Sequence, residues 1–416
     1  MRIITLTKDE FDNFSNRHSF NTFYQSSNYA DFAKINDEYN THYLGFVDSN
    51  DNLIGASLML YKTLFWGYKC AYAPRGFLFK YDNDESIEDL VVSLKRLLHK
   101  QKFIFITIDP PIVASERDKG GNTIQFNNGV NHILNVFKRN NFEHLGFNLY
   151  NESKLSRWNV IAKLNQDSRI IYNNFSNDVK EKITHANNMA ITVCEDTTRN
   201  ITDFLDYLKK IGMKNNLKYY HNLFNAFDKN RKAKIFYAKI NTKKYTQSAN
   251  TLYAKEEEKN KALASIIQSG DREKYNIQKA INDKIASDKL LHMYKKDIVN
   301  STKLLKNFPD GITCGAALTI EESRGVNIIV NAVDKNYEES NIAQLLNYEI
   351  MKYFGKANYQ YINLGAITGN FDRNSKYYPI LETKLGFNSS VIEYIGEFNI
   401  ILNPMMYKIY KKKYKL

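Results

Sequence analysis

One stretch of the 416-residue sequence reads Phe103-Ile104-Phe105-Ile106-Thr107-Ile108-Asp109-Pro110-Pro111. Its first six residues are apolar or β-branched without interruption, which is typical of a strand that is covered on both faces. Proline cannot donate a hydrogen bond to a sheet ladder, so the strand is expected to end at Asp109. The preceding segment, Ile87–Lys100, carries apolar residues at helical spacing. A helix followed by a fully buried strand indicates an α/β protein.

The same alternation of helix-like and strand-like patterns runs through residues 1–145 and starts again after residue 146. In the first part, Asp48–Asn52 predicts a hairpin turn between two strands. In the second part, predicted strands and helices alternate as far as residue 403. We therefore predict two α/β halves, one over 1–145 and the other over 146–240 and 308–403. Their similar order of elements suggests the duplication of one fold.

Residues 241–307 interrupt the second half and predict an antiparallel helical hairpin. The segment from Lys244 to Lys306 contains no proline, and Gly270 is its only glycine. Apolar residues recur at three- and four-residue spacing on both sides of Gly270, which favours coiled-coil-like packing. About 26 residues in each helix, at ~1.5 Å per residue, predict an arm about 40 Å long.

Positive charge is concentrated in two places in a chain with a net charge of +13. Residues 241–307 hold 14 lysines and arginines against 8 acidic residues. Residues 401–416 hold five lysines and no acidic residue, and 404–416 are predicted to form a basic C-terminal helix. A basic surface attracts polyanions, so nucleic acid, anionic lipid and phosphorylated ligands are candidate partners. A lysine-rich surface that is simply solvated is the alternative.

Composition and missing motifs exclude several classes of protein. A hydrophobic content of 43% and a charged content of 25% exclude disorder, and no apolar run reaches the length of a membrane-spanning helix. The chain starts without the apolar core of a signal peptide, and its three cysteines lie far apart, so we expect a cytoplasmic protein. The histidines show no ligand spacing, so no metal is expected. Phosphate-binding and nucleophile motifs are absent, as is the Arg/Gln-x-x-Gly-x-Gly/Ala loop that holds acetyl-CoA. A nucleic-acid-binding adaptor without catalysis stays open at this point.

Six short segments follow one another along the chain. They are Tyr24-Gln25-Ser26 with Lys34 and Thr41-His42-Tyr43-Leu44-Gly45, Tyr72-Ala73-Pro74-Arg75-Gly76, Ile108-Asp109-Pro110, Tyr361-Ile362-Asn363-Leu364-Gly365, Lys384-Leu385-Gly386-Phe387, and Glu393-Tyr394-Ile395-Gly396-Glu397-Phe398. In this order they resemble the Fem-type (FemABX) non-ribosomal peptidyltransferases. The resemblance covers the chain from end to end and includes the helical arm, as in FemA-like members that carry one.

The resemblance implies a fold, a reaction and a set of partners. The implied fold has two N-acetyltransferase-like (GNAT-like) halves with a coiled-coil arm. The implied reaction transfers an amino acid from aminoacyl-tRNA to the stem peptide of a peptidoglycan precursor, either lipid II or UDP-MurNAc-pentapeptide, and builds the interpeptide bridge without a cofactor. Glycine is the expected amino acid, with alanine and serine open, as is the oligomeric state. The alternatives are a coenzyme A-dependent N-acyltransferase of the same fold and a non-catalytic protein that binds tRNA or membrane.

Two residues are expected to carry the chemistry. An aminoacyl ester is already activated, so the enzyme needs to deprotonate the acceptor amine, align it and stabilise an oxyanion. Asp109, held rigidly at a strand end, is the candidate proton acceptor, although an aspartate before proline is often only structural. Lys384 matches the lysine of the family's Phe-Lys-x-Gly-Phe/Tyr segment and is the candidate for stabilising the oxyanion or the departing ribose hydroxyl. Thr383 stands where the family has phenylalanine.

Five further residues are expected to bind substrates. Lys34 matches a lysine that contacts phosphate in the family, and Lys214 lies near a family arginine with the same role. Tyr220 is expected to reach the muramyl peptide, Arg75 to hold a turn through carbonyl contacts, and Lys182 to lie on a basic helix face over the tRNA end or the nucleotide. The arm and the lysines at 408–415 are the expected docking surfaces for tRNA or for an anionic membrane.

Overall fold

The structure is a computed structural model that describes residues 1–149 and 154–414. Its N-terminal part alternates helices and strands as the sequence predicts. These elements are β1 (Arg2–Thr5), α1 (Lys8–Arg17), α2 (Ser27–Asp37), β2 (Asn40–Val47), β3 (Leu53–Thr63), β4 (Lys69–Ala73), α3 (Asp84–Lys100), β5 (Phe103–Ile108), β6 (Val113–Arg117), β7 (Thr123–Phe126), α4 (Val130–Arg139) and β8 (Phe142–His144).

The remaining elements continue the alternation around two much longer helices. They are β9 (Trp158–Lys163), α5 (Ser168–Asn173), α6 (Asn177–Asn188), β10 (Ile191–Glu195), α7 (Ile201–Lys210), α8 (Leu217–Asp228), β11 (Ala233–Ile240), α9 (Thr242–Ser269), α10 (Ile277–Asn307), β12 (Ile312–Glu321), β13 (Gly325–Val333), α11 (Ile342–Lys356), β14 (Tyr361–Ala366), α12 (Tyr378–Glu382), β15 (Ser389–Tyr394), β16 (Phe398–Ile401) and α13 (Pro404–Tyr414).

The strands form two sheets, each with covering helices. The first has the order β1-β2-β3-β4-β5-β16-β8, and the second has the order β10-β11-β12-β13-β14-β9-β15-β6-β7. Every residue of β5 is buried, as its uninterrupted apolar run predicts. One side of α3 is buried against the first sheet through Ile87, Leu90, Val91, Leu94 and Leu98. The expected α/β fold with two parts is confirmed.

The sheets exchange strands across the boundaries that we expected at residues 145 and 403. Strands β6 and β7 come from the first part of the chain but pair with β15 at the edge of the second sheet. Strand β16 comes from the last part but lies between β5 and β8 of the first sheet. The expected division into residue ranges stays a prediction, since the local patterns identify strands without showing which sheet a strand joins.

Helices α9 and α10 form a hairpin over the expected segment. Two contacts show that they run antiparallel: Asn260 Nδ2 donates to Ser287 Oγ at 3.1 Å, and nearer the base Tyr245 Oη donates to Asp297 Oδ1 at 2.9 Å. Gly270 ends α9 in the left-handed conformation, with a φ of 65°. Tyr245 and Ala249 anchor the base in the core of the second half. Coiled-coil packing along the hairpin stays a prediction.

Helix α13 occupies the segment that was expected to be a basic C-terminal helix. Its Met406 and Tyr407 pack on Ile104 and Phe105 of the first sheet. Lys415, the last lysine of the tail, lies outside the described residues. Of the helices in 1–149 and 154–414, none is both long enough and apolar enough to cross a membrane.

The packing of α11 generates a prediction about Gly355. Replacing a helical glycine by alanine usually stabilises a protein by about 1 kcal/mol. A Cβ atom on Gly355 would instead lie 2.3 Å from the carbonyl oxygen of Asn165. We expect Gly355→Ala to lower the free energy of unfolding by about 1–3 kcal/mol in urea denaturation, as overpacked cores do. Gly129→Ala is the control, because Gly129 also has a negative φ and its Cβ would meet only a side-chain oxygen at 3.3 Å. A gain in stability for Gly355→Ala would contradict this packing.

Candidate functional site

A large cavity lies between the two halves and is the candidate functional site. Its volume is about 1410 Å³, and both halves contribute to its walls. The first half supplies the segment 19–24 and Arg75, whereas the second half supplies β13, β14 and Lys384. A pocket for one drug-sized ligand typically measures 300–1,000 Å³, so this cavity has room for parts of two substrates.

The centre of the cavity is an opening between two parallel strands. Strands β13 and β14 pair over Gly325–Asn327 and Tyr361–Asn363 only. Beyond these pairs, the residues 328–333 of β13 and 364–366 of β14 line the cavity. In the first half, by contrast, β4 and β5 remain paired up to Ala73 and Ile108. The second half therefore holds an open cleft at the position where the first half is closed.

Lys384 lies at the mouth of this opening. Its ammonium group donates to the carbonyl oxygen of Ala366 at 2.8 Å. Gly365, which has a φ of 101°, leaves the space that the ammonium needs, since a Cβ there would come within 3.0 Å of the Lys384 Nζ. Burial lowers the pKa of Lys384 to about 8, because removing water disfavours its charged form. Lys384 thus presents a cation that can lose its proton near neutral pH.

Arg75 and Asp109 form a buried pair where the two halves meet. The backbone N–H of Arg75 donates to Asp109 Oδ1 at 2.6 Å, and the Arg75 Nη1 lies 3.7 Å from Asp109 Oδ2. Tyr72 donates a further hydrogen bond to the same carboxylate at 3.1 Å. From the second half, the carbonyl of Ser156 accepts from Arg75 Nη2 at 2.6 Å, and the ring of Tyr394 stacks on the guanidinium at 4.6 Å. The pair therefore fixes the spacing of the halves.

Asp109 is 1% exposed and does not line the cavity. Arg75, by contrast, lines it. Burial raises the pKa of Asp109 to about 7, although Arg75 and its backbone N–H act in the opposite direction. A proton acceptor has to contact the acceptor amine or a water next to it. The carboxylate of Asp109 contacts Arg75 and Tyr72 instead. Its role as proton acceptor stays a prediction, and its contacts favour a positioning role.

Glu322 is a cavity residue that the sequence analysis missed. It lies in the turn between β12 and β13, is 8% exposed, and lines the cavity. Its carboxylate accepts hydrogen bonds from Tyr361 Oη at 2.6 Å and from the backbone N–H of Phe23 at 2.8 Å. Burial raises the pKa of Glu322 above its usual value. A glutamate in a polar turn carries no signal in the sequence that distinguishes it from a solvated one.

A row of asparagines forms the polar floor beside Glu322 and was also missed. The Nδ2 of Asn363 donates to Asn159 Oδ1 at 3.3 Å and to Asn327 Oδ1 at 3.1 Å. Asn331 Nδ2 donates to Asn347 Oδ1 at 2.8 Å. Four of them lie on strands and one on a helix: Asn159 on β9, Asn327 and Asn331 on β13, Asn363 on β14 and Asn347 on α11. Their amide groups line the cavity and can bind a peptide. Only Asn363 belongs to a segment that the resemblance had marked.

Of the seven expected site residues, four line the cavity and three, which include Asp109, do not. Lys384, Arg75, Lys182 and Tyr220 line the cavity. Lys182 lies beside its wall, where its Nζ is 3.0 Å from Asp178 Oδ2 and 3.8 Å from Glu382 Oε1. The site roles of all these residues stay predictions.

Lys34 and Lys214 are exposed and do not line the cavity. Lys34 lies in the last turn of α2, and Lys214 lies in the loop before α8, between the cavity residues Met213 and Asn216. Helices α2 and α8 pack against each other, with Asn222 Nδ2 donating to Asn36 Oδ1 at 3.2 Å. Lys34 therefore lies on α2 and Lys214 on the loop that leads into α8, the helix packed against α2.

A second cavity of about 590 Å³ lies at the base of the helical hairpin and shares Lys182 and Asn341 with the first. One wall joins the hairpin to α6, where His185 Nε2 lies 3.8 Å from Asp297 Oδ2. The other ring nitrogen of His185 is hydrogen-bonded to the amide of Asn341 at 3.1 Å. Within the described residues, no three side chains of the metal-binding types converge on one point.

Comparisons with known proteins agree on one family. The family model described as the FemAB family matches residues 6–415. A lipid II:glycine glycyltransferase of Staphylococcus epidermidis is 24% identical over 421 residues, which span 99% of this chain and 95% of that protein. A lipid II:glycine glycyltransferase of Staphylococcus aureus is 24% identical over 424 residues, spanning 98% and 95%.

The solved crystal structure of FemX shares the fold of this chain. It superposes with a TM-score of 0.73 at 20% sequence identity, covering 98% of this chain and 99% of FemX. The Fem-type fold that the resemblance implied is confirmed.

The buried pair generates a prediction that depends on pH. Arg75→Met leaves the Asp109 carboxylate buried without its cation, so we expect the free energy of unfolding to fall by about 3–5 kcal/mol at pH 8. The pKa of Asp109 is already raised to about 7, and the loss of Arg75 raises it further. The folded state then binds a proton that the unfolded state releases, so stability declines as the pH rises above the unfolded value of about 4. At pH 5 the carboxyl is protonated in the folded state, and the loss should be smaller.

Urea denaturation at pH 5 and pH 8 measures this difference. Arg139→Met is the control, since Arg139 forms an exposed pair with Asp84 and its loss should change stability little at either pH. The double variant Arg75→Met/Asp109→Leu should recover part of the loss at pH 8. An equal loss at both pH values for Arg75→Met would contradict the proposed charge pairing.

Proposed function

The chain belongs to the FemAB family, and from this premise we propose that it is an aminoacyltransferase that moves glycine from aminoacyl-tRNA to the stem-peptide amine of a peptidoglycan precursor. The observation that carries the proposal is the cavity between the halves, in which Lys384 faces an opening between two strands. The names of the staphylococcal relatives support glycine as the amino acid and lipid II as the acceptor. The donor tRNA and a position at the inner face of the membrane are further parts of this proposal.

The proposed reaction exchanges an ester for an amide. The acceptor ammonium first loses a proton, and the free amine attacks the carbonyl carbon of the aminoacyl ester. The C–N bond forms, and a negative charge develops on the carbonyl oxygen. The C–O bond to the tRNA ribose then breaks, the ribose oxygen takes up a proton, and the amide nitrogen releases one. The protein has to accept a proton, donate to the oxyanion and align two large substrates.

Lys384 is suited to the oxyanion and to the leaving oxygen. Its ammonium group is half-buried at the cleft, where a charge-assisted hydrogen bond is stronger than in water. Within residues 1–149 and 154–414, its ammonium group donates one hydrogen bond, to the Ala366 carbonyl. An ammonium carries three N–H donors, so further donors remain for a ligand. With a pKa of about 8, it can also return a proton to the ribose oxygen without a large energetic penalty.

Glu322 is the carboxylate that we propose as proton acceptor in the cavity. It lines the same space as Lys384, whereas Asp109 lies behind Arg75. The hydrogen bonds from Tyr361 and Phe23 hold its two oxygens in place. A raised pKa makes the carboxylate a better base near neutral pH than an exposed glutamate. Asp109 acts in this proposal by holding Arg75.

Lys34, Lys214 and Tyr220 form the proposed acceptor side. A pyrophosphate needs cations that remain accessible, and both lysines are exposed, Lys34 on α2 and Lys214 in the loop before α8. Tyr220 lies on α8 and lines the cavity. The donor is assigned to the opposite side, where Lys182 lines both cavities at the base of the hairpin.

A transfer assay tests the proposal directly. Purified protein is given total tRNA charged with radiolabelled amino acids, and lipid II and UDP-MurNAc-pentapeptide are offered in parallel. We expect labelled glycine on lipid II, identified by mass. Acyl transfer from coenzyme A thioesters, measured on the same acceptors, would favour the N-acyltransferase alternative. Binding of tRNA without transfer to either acceptor would favour the non-catalytic alternative.

The pKa of Lys384 generates a second prediction. Lys384→Met should lower kcat by about 10²–10³, which is the usual cost of losing one oxyanion donor. In the unchanged protein, the ammonium is present below pH 8 and is lost above it, so kcat should fall as the pH rises through about 8. Lys384→Arg retains its charge at much higher pH, so the variant should keep some activity and lose this decline.

The exposed Lys376, which lies eight residues before Lys384, provides the control. Lys376→Met should leave both kcat and its pH profile unchanged. A decline at pH 8 that persists in Lys384→Arg would remove Lys384 from this role.

A further inference from the structure

A tryptophan stands out from the surface of the first half. Trp66 lies in the tight turn between β3 and β4 and is 72% exposed. Its φ is 55°, a left-handed conformation that bulky residues rarely adopt and that costs free energy. Two backbone hydrogen bonds close the turn: the N–H of Leu64 donates to the carbonyl of Tyr68 at 2.6 Å, and the N–H of Tyr68 donates to the carbonyl of Phe65 at 3.0 Å. Among the described residues, its ring contact is with Phe65, at 5.2 Å between the ring centres. Packing within the protein does not account for this side chain.

The basic C-terminal helix lies directly beside this turn. The Nζ of Lys413 is 4.5 Å from the centre of the Phe65 ring, and Phe65 packs on the same cluster as Met406 and Tyr407 of α13. Helix α13 contains no acidic residue. Lys411 is paired with Glu143 at 2.5 Å, whereas Lys408 and Lys412 are exposed one turn apart. The exposed lysines of α13 and the exposed side chain of Trp66 therefore lie on neighbouring parts of the surface.

The outer face of α13 is apolar as well as basic. Met405 is 68% exposed and lies one turn before Lys408, so the two share a face. Nucleic acid would require the lysines but would gain little from an exposed methionine and a projecting indole. Tryptophan and lysine together are typical of the boundary between lipid headgroups and acyl chains, where the indole ring is partly immersed. These contacts favour a bilayer over RNA as the partner.

This surface adjoins the proposed acceptor side. Tyr39 follows α2, the helix that carries Lys34, and the Nζ of Lys62 lies 4.6 Å from its ring centre. Lys62 is on β3, the strand that leads into the Trp66 turn. Lys62 pairs with Cys70 of β4, and Cys70 packs on the cluster that contains Met406 and Tyr407 of α13. A lipid-linked acceptor bound near Lys34 would therefore have its lipid end close to α13.

We infer that Trp66, Met405, Lys408, Lys412 and Lys413 form a docking surface for an anionic lipid bilayer. Lysines bind the negative surface, and Trp66 enters the interface beside them. The purpose of the surface rests on the proposed function, because lipid II is anchored in such a bilayer. The docking itself does not require tRNA, acceptor or catalysis.

Vesicles without lipid II test the surface independently of transfer. The full chain is mixed with vesicles of phosphatidylglycerol and phosphatidylcholine, or of phosphatidylcholine alone, and bound protein is measured by sedimentation. We expect binding to the anionic vesicles that weakens as salt is added. The chain has two tryptophans, and Trp158 is 3% exposed, so a blue shift of the fluorescence on binding reports Trp66.

Matched variants distinguish vesicle binding through this surface from the general electrostatic attraction of a basic protein to anionic lipid. Lys408→Ala/Lys412→Ala should weaken binding about 30-fold, since each lysine near an anionic surface contributes about fivefold. Lys279→Ala/Lys289→Ala removes the same charge from exposed positions on the hairpin and should have little effect. Trp66→Ala should weaken binding and abolish the blue shift.

The outcomes distinguish this inference from the proposed function. Equal losses for both lysine pairs, or binding without a blue shift, would overturn the docking surface. Loss of tRNA binding but not of vesicle binding in Lys408→Ala/Lys412→Ala would assign the surface to nucleic acid instead. With a water-soluble acceptor, Trp66→Ala should transfer glycine at the normal rate. Vesicle binding without transfer to any acceptor would support the docking surface and contradict the proposed transferase function.

Discussion

The buried contact between Arg75 and Asp109 is the constraint on which the arrangement of the halves depends. A buried ion pair is stable only when nearly all of its polar groups find partners. Asp109 obtains them from Tyr72 and the backbone of Arg75 in the first half. Arg75 obtains its partners from Ser156 and Tyr394 in the second half. Neither half alone completes the set, so the pair is satisfied only when the halves meet at one distance.

The two halves use similar strand pairs for different purposes. In the first half, β4 and β5 stay paired to their ends, and the pair of Arg75 and Asp109 covers those ends. In the second half, β13 and β14 separate after three residue pairs. A bulge between Asn363 and Gly365 shifts β14 against β9 at the point of separation, and Lys384 reaches the freed carbonyl of Ala366. The paired strands β4 and β5 therefore leave no opening between them in the described part of the first half, whereas the separated strands β13 and β14 form a wall of the cavity.

The sequence predicts local structure well because that structure depends on neighbouring residues. The apolar run Phe103–Ile108 predicts a buried strand, and Ile87–Lys100 predicts a helix that ends where α3 ends. The exchange of β6, β7 and β16 depends on distant pairing, for which a single sequence holds no signal. The same limit applies to the site. Lys384 was found because it lies in a segment with a family resemblance, whereas Glu322 is brought to the cavity by contacts with Phe23 and Tyr361, which are far from it in the chain.

Asp109 and Glu322 show why burial of a carboxylate does not by itself identify a base. Burial raises the pKa of both. Asp109 has a guanidinium as partner and lies behind it, so a proton acquired there cannot come directly from a substrate. Glu322 has hydroxyl and amide donors as partners, and one side of it faces the cavity. A raised pKa makes a carboxylate able to accept a proton at neutral pH, but access decides from which molecule the proton comes. In this fold, the aspartate at the end of the strand pairs with Arg75 at the junction of the halves, and the glutamate in the turn faces the cavity.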